Sequence, residues 1–398
     1  MRAVNFERKL ENIIASDDPK NIWLPLLILL RLLAFIYGIA VDIRNFLYDR
    51  GLISSKELVP AVLSIGNISV GGTGKTPTVM KLASTLKAKG YEPAVISRGY
   101  GREISEPLLV NDGEKIRADP EDCGDEAYLL ASRLEKIPVV ACNNKTEAAS
   151  WAAENLSADI ILIDDGFQHR SLARDFDLVL LDATNPFGHG HLLPRGLLRE
   201  DPKSLKRADG ILITRADKVD SDKILEIIER IRNIKPDIPL GLTRYKPVSI
   251  RDSAGRNYGT DMLKGKKIAA FSGIGNHEAF LSTLQGLGAV IVGETAFSDH
   301  QDYKKEDFCE LFSKGDEDAI SVSADNSSEM VVTTSKDLAR MTSEIVDYFQ
   351  EQNINLLAVE GEIEFIYDGL DKKHDNLKGN ILSDIERTVK REQTGGNR

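Results

Sequence analysis

The chain has 398 residues, a length that favours two domains, and 42% of them are hydrophobic, which is ample for globular cores. Its formal net charge of −11 argues against a nucleic-acid partner, because neutralising phosphates needs clustered lysine and arginine side chains. Three cysteines lie far apart without the spacing of metal ligands, a pattern typical of reduced thiols (Cys123, Cys142 and Cys309).

The first element in chain order is an apolar segment, residues 22–41, whose only charged residue is Arg31. It begins too far into the chain for a secretory signal, and no small-residue cleavage site follows. A bilayer span takes about 20 residues, but an arginine at its centre costs about 2.5–3.5 kcal/mol. We predict a helix that lies on the cytoplasmic leaflet and continues to Gly51. A buried core helix and a true membrane span are the alternatives.

The most informative motif is a glycine-rich turn between an apolar strand and a helix, residues 69–76. Glycines let backbone N–H groups approach phosphate oxygens, and the helix N-terminus adds a partial positive charge. Lys75 is predicted to reach the β- and γ-phosphates, and the Thr76 hydroxyl to hold Mg²⁺. The motif predicts nucleoside triphosphate binding, although Ser69 stands where the usual pattern has glycine. The predicted phosphate-binding residues are Gly71, Gly72, Thr73, Gly74, Lys75 and Thr76.

From residue 60 onward, apolar strands alternate with helical patterns, which predicts an α/β fold with a parallel sheet covered by helices, like that of P-loop NTPases. The predicted strands are residues 61–65, 93–97, 139–141, 160–163, 178–181 and 210–214. The predicted helices are residues 78–89, 125–133, 145–155 and 222–234. The predicted domains are a membrane-associated N-terminal helix (1–51), the P-loop core (52–245), a linker (246–265), a second, smaller α/β domain (266–368) and a charged C-terminal tail (369–398).

Two carboxylates, Asp164 and Asp165, follow the apolar strand 160–163. In phosphate-loop proteins, a carboxylate at such a strand end can hold Mg²⁺ or its waters beside the loop threonine. Strands often end in aspartate as a turn or cap, but pairing with the Lys75 loop makes the metal interpretation the stronger one. Gln168 and His169 follow directly and are expected to overhang the same cleft.

For three further features, the residues alone do not decide between a structural and a functional role. Asp125 opens a predicted helix, where the favoured interpretation is a cap with acidic first-turn residues. The basic turn at residues 98–102 is either solvated or binds an anionic substrate group. His300 follows a strand of the second domain, and a lone histidine there is usually structural.

Together, these segments resemble the tetraacyldisaccharide 4′-kinase family, membrane-associated enzymes that phosphorylate the disaccharide precursor of lipid A. The matching motifs follow the family's order, and the family's hydrophobic N-terminal helix matches residues 22–41. They are SIGNISVGGTGKTP (64–77), SRGYGR (97–102), GDEA (124–127), DDGFQHR (164–170), LPRGLLRE (193–200), FSGIGN (271–276), DH (299–300) and TTSKD (333–337). Arg195 and Leu197 depart from the family's usual PAGPLRE, which puts substrate contacts there in doubt. Ser335 replaces a usual glutamate, which puts any role of that glutamate in doubt.

The resemblance implies a kinase that uses ATP and Mg²⁺ to phosphorylate the 4′-hydroxyl of an acylated glucosamine disaccharide 1-phosphate. It implies a peripheral or monotopic location on the cytoplasmic face of the inner membrane, with the membrane surface as a partner. Asp125 is implied as the catalytic base, supported by His300, with Lys75 stabilising the transferred phosphate. The implied metal and nucleotide residues are Thr76, Asp164, Asp165, Gln168, His169 and Glu200, and the implied headgroup contacts are Arg98, Tyr100, Arg199 and Lys145.

Two rival classes follow from the same loop. A membrane-associated regulatory ATPase with a similar loop carries lysine at the position of Val70, and the Asp299–His300 pair also counts against that class. A nucleotide-binding scaffold is disfavoured because several predicted proton and metal sites converge on one cleft. In the kinase interpretation, a chain without residues 1–51 should lose membrane association more than ATP binding.

Overall fold

The computed structural model describes residues 24–99, 106–298, 303–309, 329–366 and 381–393. Two residues of the predicted site, Tyr100 and His300, lie outside the described residues, and their roles stay predictions. The chain divides into two compact units, the first made of Met1–Arg244 with Ile363–Arg398, and the second of Tyr245–Glu362.

Helices and strands alternate along most of the described chain. The helices are α1 (Leu24–Asp49), α2 (Lys75–Ala88), α3 (Pro120–Cys123), α4 (Asp125–Arg133), α5 (Lys145–Asn155), α6 (Ser221–Ile234), α7 (His277–Gly286), α8 (Lys305–Cys309), α9 (Ser335–Leu338), α10 (Ser343–Glu351) and α11 (Ile381–Gln393). The strands are β1 (Ala61–Asn67), β2 (Pro93–Ser97), β3 (Leu108–Asn111), β4 (Val139–Ala141), β5 (Ile160–Asp164), β6 (Phe176–Asp182), β7 (Gly210–Thr214), β8 (Leu240–Asp252), β9 (Asn257–Tyr258), β10 (Lys267–Ser272), β11 (Val290–Ala296), β12 (Glu329–Thr334) and β13 (Ile354–Phe365).

The predicted N-terminal helix is confirmed as α1, which has 26 residues. It ends just before Gly51, whose φ of 64° is the left-handed conformation common after a helix. Only a narrow stripe of α1 is buried, formed by Leu27, Ala34, Gly38 and Val41. Most of its remaining large apolar side chains are exposed.

The first unit is built on a sheet in the order β8-β7-β6-β1-β5-β2-β4-β3. Every neighbouring pair is parallel except β3 with β4, which is antiparallel. The central strand β1 pairs with β5 and with β6, so that Ile65 lies beside Asp164 and Asn67 beside Leu180. The carboxyl ends of these strands therefore meet at one edge of the sheet, where ligands bind in folds of this kind.

Successive side chains of β1 point to opposite faces of the sheet and pack against helices on both faces. Leu63 and Ile65 pack in the same cluster as Leu82 of α2, whereas Val62 packs with Ala148 of α5 on the other face. Since both faces are covered, β1 is apolar or small from Ala61 to Gly66, and the whole strand is buried. The predicted α/β class with a parallel sheet is confirmed.

In the described part of the second unit, four parallel strands lie in the order β11-β10-β12-β13. Its two apolar clusters draw on β10 through Ala270 on one side and Phe271 on the other. The buried carboxylate of Asp337 accepts hydrogen bonds from the hydroxyls of Tyr303 (2.9 Å) and Thr334 (2.6 Å). This polar cluster ties α9 to the strand ends of the second unit.

Two stretches differ from the domain boundaries expected from the sequence. Residues 369–398 were expected to form a charged tail with a helix, and the helix is present as α11. It is not a separate tail, because Ile381, Ile385 and Val389 are buried in the core of the first unit. These three residues lie four positions apart on a helix that is otherwise mostly polar, so the apolar stripe is inconspicuous in the composition. Residues 246–265 were expected to form a linker, yet β8 continues to Asp252 and pairs with β9.

Candidate functional site

The glycine-rich turn leads from β1 directly into α2, which begins at Lys75, three residues earlier than predicted. Gly71 and Gly74 have φ values of 104° and 86°, a region that other residues rarely adopt. The first backbone N–H groups of α2 have no intrahelical acceptor, so they can bind an anion. Ser69 does not have positive φ and bridges to Leu198 in extended backbone, which explains why glycine is unnecessary at this position.

The ends of β1, β6 and β7 hold the turn in place. Thr73 accepts a hydrogen bond on its hydroxyl from Asn67 Nδ2 (2.9 Å), and its carbonyl accepts one from the Thr214 hydroxyl (3.0 Å). Arg215 Nη2 donates to the carbonyl oxygen of Gly72 (2.6 Å), and its Nη1 pairs with the carboxylate of Asp182. These bracing residues were missed by the sequence analysis.

A signal for them was present in the sequence. Asp182 ends β6, and Thr214 and Arg215 lie at the end of β7, which are the same kind of strand-end positions as Asp164 on β5. Polar residues at the carboxyl ends of parallel strands are candidates for a ligand site in this architecture. Applying that rule to every predicted strand would have found all three.

The two predicted metal carboxylates have different surroundings. Asp165 has a φ of 52° and lies between three cations. Its Oδ1 is 3.5 Å from Lys75 Nζ, and both of its carboxylate oxygens accept from Arg199 Nη1 at 2.9 Å. Its backbone carbonyl accepts from Lys145 Nζ at 2.5 Å. Burial alone would raise the pKa of Asp165, but these positive charges outweigh it and hold the pKa below its usual value.

Asp164, by contrast, is buried at the end of β5, where the residue is 4% exposed. Its Oδ1 has no hydrogen-bond partner within the described part of the chain. Burial first, and then the negative charge of Glu126, raise the pKa of Asp164 to about 7. A divalent cation would compensate such a carboxylate, so the donor chemistry fits the Mg²⁺ expected here.

No cluster of three or more histidine, cysteine, aspartate or glutamate residues that could hold a metal occurs among the described residues. This is compatible with Mg²⁺, which usually binds one or two carboxylates together with waters and substrate phosphates. The protein residues that could hold it are Thr76, at the start of α2, and Asp164. The metal assignments remain predictions.

His169 and Gln168 lie beside this edge of the sheet. His169 Nε2 is 3.0 Å from the Thr146 hydroxyl and 3.1 Å from that of Ser171. Burial, together with the charge of Lys145, lowers the pKa of His169 to about 4, so the imidazole is neutral at pH 7. Gln168 Nε2 donates to the carbonyl oxygen of Asn67 (2.9 Å), which ties the acidic motif to the end of β1.

Glu200, predicted as a metal residue, is already surrounded by donors. Its side chain is 1% exposed and accepts from Arg207 (2.9 Å) and from Asn45 (2.8 Å), with Arg44 at 3.5 Å. The backbone next to it is paired with the phosphate loop, since Arg199 N–H donates to the carbonyl of Ile68 (2.7 Å). These contacts favour a structural role for Glu200, and its metal role stays a prediction.

Asp125 is the first residue of α4 and is half-buried. The N-cap residue of α4 is Gly124, with a φ of 81°. The alternative interpretation, in which Asp125 itself caps the helix, is therefore wrong. The position leaves the carboxylate at the N-terminal, positive end of the helix dipole. Whether Asp125 acts as a base remains a prediction.

The residues predicted to contact the lipid headgroup differ in their exposure to solvent. Arg98 is exposed just after β2. Lys145 is buried at the start of α5, and burial lowers its pKa below the usual value. Arg199 is half-buried and paired with Asp165. Lys145 therefore braces the acidic motif from inside the protein, whereas Arg98 is accessible to a ligand.

A glycine-rich loop that feeds a helix, its lysine near a strand-end carboxylate, and a parallel sheet define the class of phosphate-loop nucleotide-binding proteins. The family model described as "Tetraacyldisaccharide-1-P 4'-kinase" matches residues 26–377 of this chain. The chain belongs to this family of kinases.

Individual relatives agree with this assignment. The tetraacyldisaccharide 4'-kinase of Halothermothrix orenii is 35% identical over 375 residues, covering 90% of this chain and 95% of that protein. The tetraacyldisaccharide 4'-kinase of Syntrophus aciditrophicus is 37% identical over 344 residues, covering 84% and 89%. A crystal structure of the "apo" form of LpxK from Aquifex aeolicus in complex with ATP has 28% identity and a TM-score of 0.66, covering 90% of this chain and 97% of that one. The family resemblance found in the sequence is confirmed.

Proposed function

We propose that this protein transfers the γ-phosphate of ATP to the 4′-hydroxyl of a tetraacyldisaccharide 1-phosphate, in the biosynthesis of lipid A. The observation that best supports this function is the phosphate loop at the start of α2. Its Lys75 lies 3.5 Å from the Asp165 carboxylate at the edge of the sheet. Phosphoryl transfer needs in-line positioning and neutralisation of charge, and this edge supplies both a lysine and free backbone donors. The family membership supports the acceptor, and the ATP named in the related crystal structure supports the donor.

The loop residues would bind the phosphates through backbone N–H groups, with Lys75 stabilising charge on the γ-phosphate. Thr76 and Asp164 would hold Mg²⁺, which when bound neutralises charge on the β- and γ-phosphates. Asp165 would hold the Lys75 ammonium on the correct side of the loop, since it already pairs with it. Asp125 would accept the proton of the 4′-hydroxyl, and His300 would support it.

The exposed face of α1 supports a membrane partner. We define the outer face of α1 by its exposed large apolar residues: Leu24, Ile28, Leu29, Leu32, Leu33, Phe35, Ile36, Ile39, Ile43 and Phe46. A contiguous apolar surface of this size on one helix is unusual on a protein that contacts only water. The helix also has the length and composition of a membrane span, although these two properties alone are weak evidence. The acceptor lipid would be reached from the same surface.

We infer that α1 lies against the cytoplasmic face of the inner membrane instead of crossing it. A spanning helix is surrounded by hydrocarbon, whereas one side of α1 makes polar contacts with the protein through Tyr37 and Asn45. Arg31 is exposed in its apolar half, where full insertion would be unfavourable. A helix that buries one apolar face in the headgroup region satisfies both observations.

The transfer reaction is tested with purified full-length protein, ATP labelled at the γ-phosphate, and tetraacyldisaccharide 1-phosphate in detergent micelles. Label should appear in the lipid and require the acceptor. A matched pair of variants, Asp125→Asn and the remote Asp237→Asn, separates a specific loss from a general effect of removing a carboxylate. Release of label to water alone would favour the regulatory ATPase, and nucleotide binding without turnover would favour the scaffold.

The membrane proposal is tested by replacing Phe35 and Ile39 with serine on the outer face. Their side chains are 65% and 44% exposed, so the substitutions should leave the fold intact. Sedimentation with vesicles of bacterial inner-membrane lipids should fall strongly. Extraction of the unaltered chain by alkaline carbonate is also expected, and resistance to extraction would instead favour a span.

A further inference from the structure

The side of α1 that faces the protein carries polar residues. We define the inner edge of α1 as Tyr37, Arg44, Asn45 and Asp49. Each of these residues contacts a segment more than a hundred positions later in the chain. They follow the helical repeat of the buried stripe, since Tyr37 adjoins Gly38 and the pair Arg44–Asn45 lies one turn beyond Val41. A helix that only anchored the protein to a membrane would need no such contacts.

The inner edge binds the segment Arg199–Glu200 at three points. The Tyr37 hydroxyl donates to the Arg199 carbonyl oxygen at 2.9 Å. Asn45 Nδ2 donates to Glu200 Oε2 at 2.8 Å, and Arg44 Nη2 lies 3.5 Å from Oε1. Because the Glu200 carboxylate is buried, losing a donor leaves part of its charge uncompensated, so these bonds constrain its position strongly.

The inner edge also holds the segment that follows the acidic motif. Arg170 Nη1 donates to the carbonyl oxygen of Asn45 at 3.0 Å, and its Nη2 donates to Asp49 Oδ1 at 2.7 Å. Close packing accompanies these bonds, since a Cβ on Gly38 would lie 2.8 Å from Leu192 Cδ1. The helix therefore contacts both stretches of chain that border the phosphate loop.

From Arg199 the contacts continue to the loop lysine. Arg199 Nη1 donates to both oxygens of Asp165 at 2.9 Å, and Asp165 Oδ1 lies 3.5 Å from Lys75 Nζ. The Arg199 backbone is itself paired with Ile68 at the start of the loop. A shift of the Arg199 backbone would thus move both the guanidinium that orients Asp165 and the edge of the loop.

We propose that the inner edge of α1 positions Arg199 and Asp165, and through them Lys75, for phosphoryl transfer. Tyr37 and Asn45 are positioning residues that act through Arg199 and Glu200. The inference rests on the proposed kinase function. It makes α1 a part of the nucleotide site as well as a surface for the lipid.

The inference changes the outcome expected for a chain without residues 1–51. Such a chain would lose the α1 partners of Glu200 and Arg170, although Glu200 would keep its pair with Arg207. Nucleotide turnover should therefore fall together with membrane association. Deletion therefore cannot separate the two roles of α1. Single substitutions on the inner edge can, because they leave the outer face intact.

The test uses the full chain in detergent micelles with Tyr37→Phe and Asn45→Leu, separately and together. Both leave the side-chain volume nearly unchanged. Tyr37→Phe removes the bond to the Arg199 carbonyl oxygen, and Asn45→Leu removes the bond to Glu200 together with the 3.3 Å bond that Asn45 Oδ1 accepts from Arg44 Nη2. The matched controls are Tyr258→Phe, which loses a 3.0 Å bond to Asp252 in the second unit, and Asn155→Leu, which loses a 2.9 Å bond at the end of α5. The measurements are kcat and KM for ATP and for the lipid, the affinity for a fluorescent ATP analogue, the melting temperature and vesicle sedimentation.

At temperatures well below the melting transition, Tyr37→Phe should lower kcat by about two- to tenfold, the effect of one neutral hydrogen bond. Asn45→Leu should lower it by about ten- to a hundredfold, because the bond it loses is to the charged Glu200 carboxylate. Vesicle binding should stay as in the wild type, and the controls should keep their kcat. Inner-edge variants with the kcat of the controls would overturn the inference, as would losses of rate that match the unfolded fraction. Failure of the wild-type protein to phosphorylate the lipid would instead reject the proposed function.

Discussion

Arg215 offers the most direct test of how the phosphate loop is held, through its replacement by alanine. Its guanidinium joins the Gly72 carbonyl oxygen, at 2.6 Å, to the Asp182 carboxylate at the end of the neighbouring strand. The residue also has a φ of 52°, which is uncommon for any residue other than glycine. A strained backbone that presents a side chain to the loop suggests that the side chain matters more than the local conformation.

The expected size of the effect follows from the bonds removed. A hydrogen bond to a charged group contributes about 1.5–3 kcal/mol and a neutral one about 0.5–1.5 kcal/mol. In the variant, Asp182 loses its pair with Arg215 but keeps its bonds from the Thr184 N–H (3.0 Å) and hydroxyl (2.7 Å). Its carboxylate therefore stays partly compensated. We expect Arg215→Ala to lower the free energy of unfolding by about 2 kcal/mol. The KM for ATP should rise about tenfold, since a bond worth about 1.4 kcal/mol no longer orders the loop.

The controls separate the side chain from the backbone. Arg215→Gly also lacks the guanidinium but accepts positive φ, so it should be more stable than Arg215→Ala by about 1 kcal/mol with the same KM for ATP. Urea unfolding measures the first quantity and initial rates at saturating lipid measure the second. An unchanged KM for ATP in folded Arg215→Ala would refute the bracing argument.

Three further predictions concern the loop, the base and the sheet. Lys75→Ala should abolish transfer without unfolding the protein, because it removes charge stabilisation and little packing; near-normal turnover would reject the loop assignment. Asp125→Ala and His300→Ala should each lower kcat by about 10²–10⁴ with little change in ATP affinity, and the double variant should lose less than the product if the pair acts as a unit. Gly66→Ala should destabilise the fold by about 1–3 kcal/mol, because its Cβ would lie 2.6 Å from a backbone nitrogen. The control Gly286→Ala meets nothing within 4 Å and should not destabilise; equal effects in urea unfolding would contradict the steric reason.

Several elements were predicted from the sequence with the bounds that the structure has. They include α4 and α5 and the strands β2, β4 and β7. Strands buried on both faces are continuous apolar runs, and each lies between polar turns, so local sequence is enough to find them. Among the strands that were not predicted, β8 and β13 mix exposed and buried positions and therefore lack that signal.

The sequence by itself determined the phosphate loop, the helix that follows it and the family, because these depend on residues adjacent in the chain. Only the tertiary structure decided which charges meet. Lys75, Lys145 and Arg199 converge on Asp165 from three distant segments. No spacing in the chain encodes this convergence, since it arises from the order of strands in the sheet. The same reason hid the second role of α1, whose apolar composition predicts a lipid surface, while its polar contacts exist only once the sheet has brought residue 200 beside it.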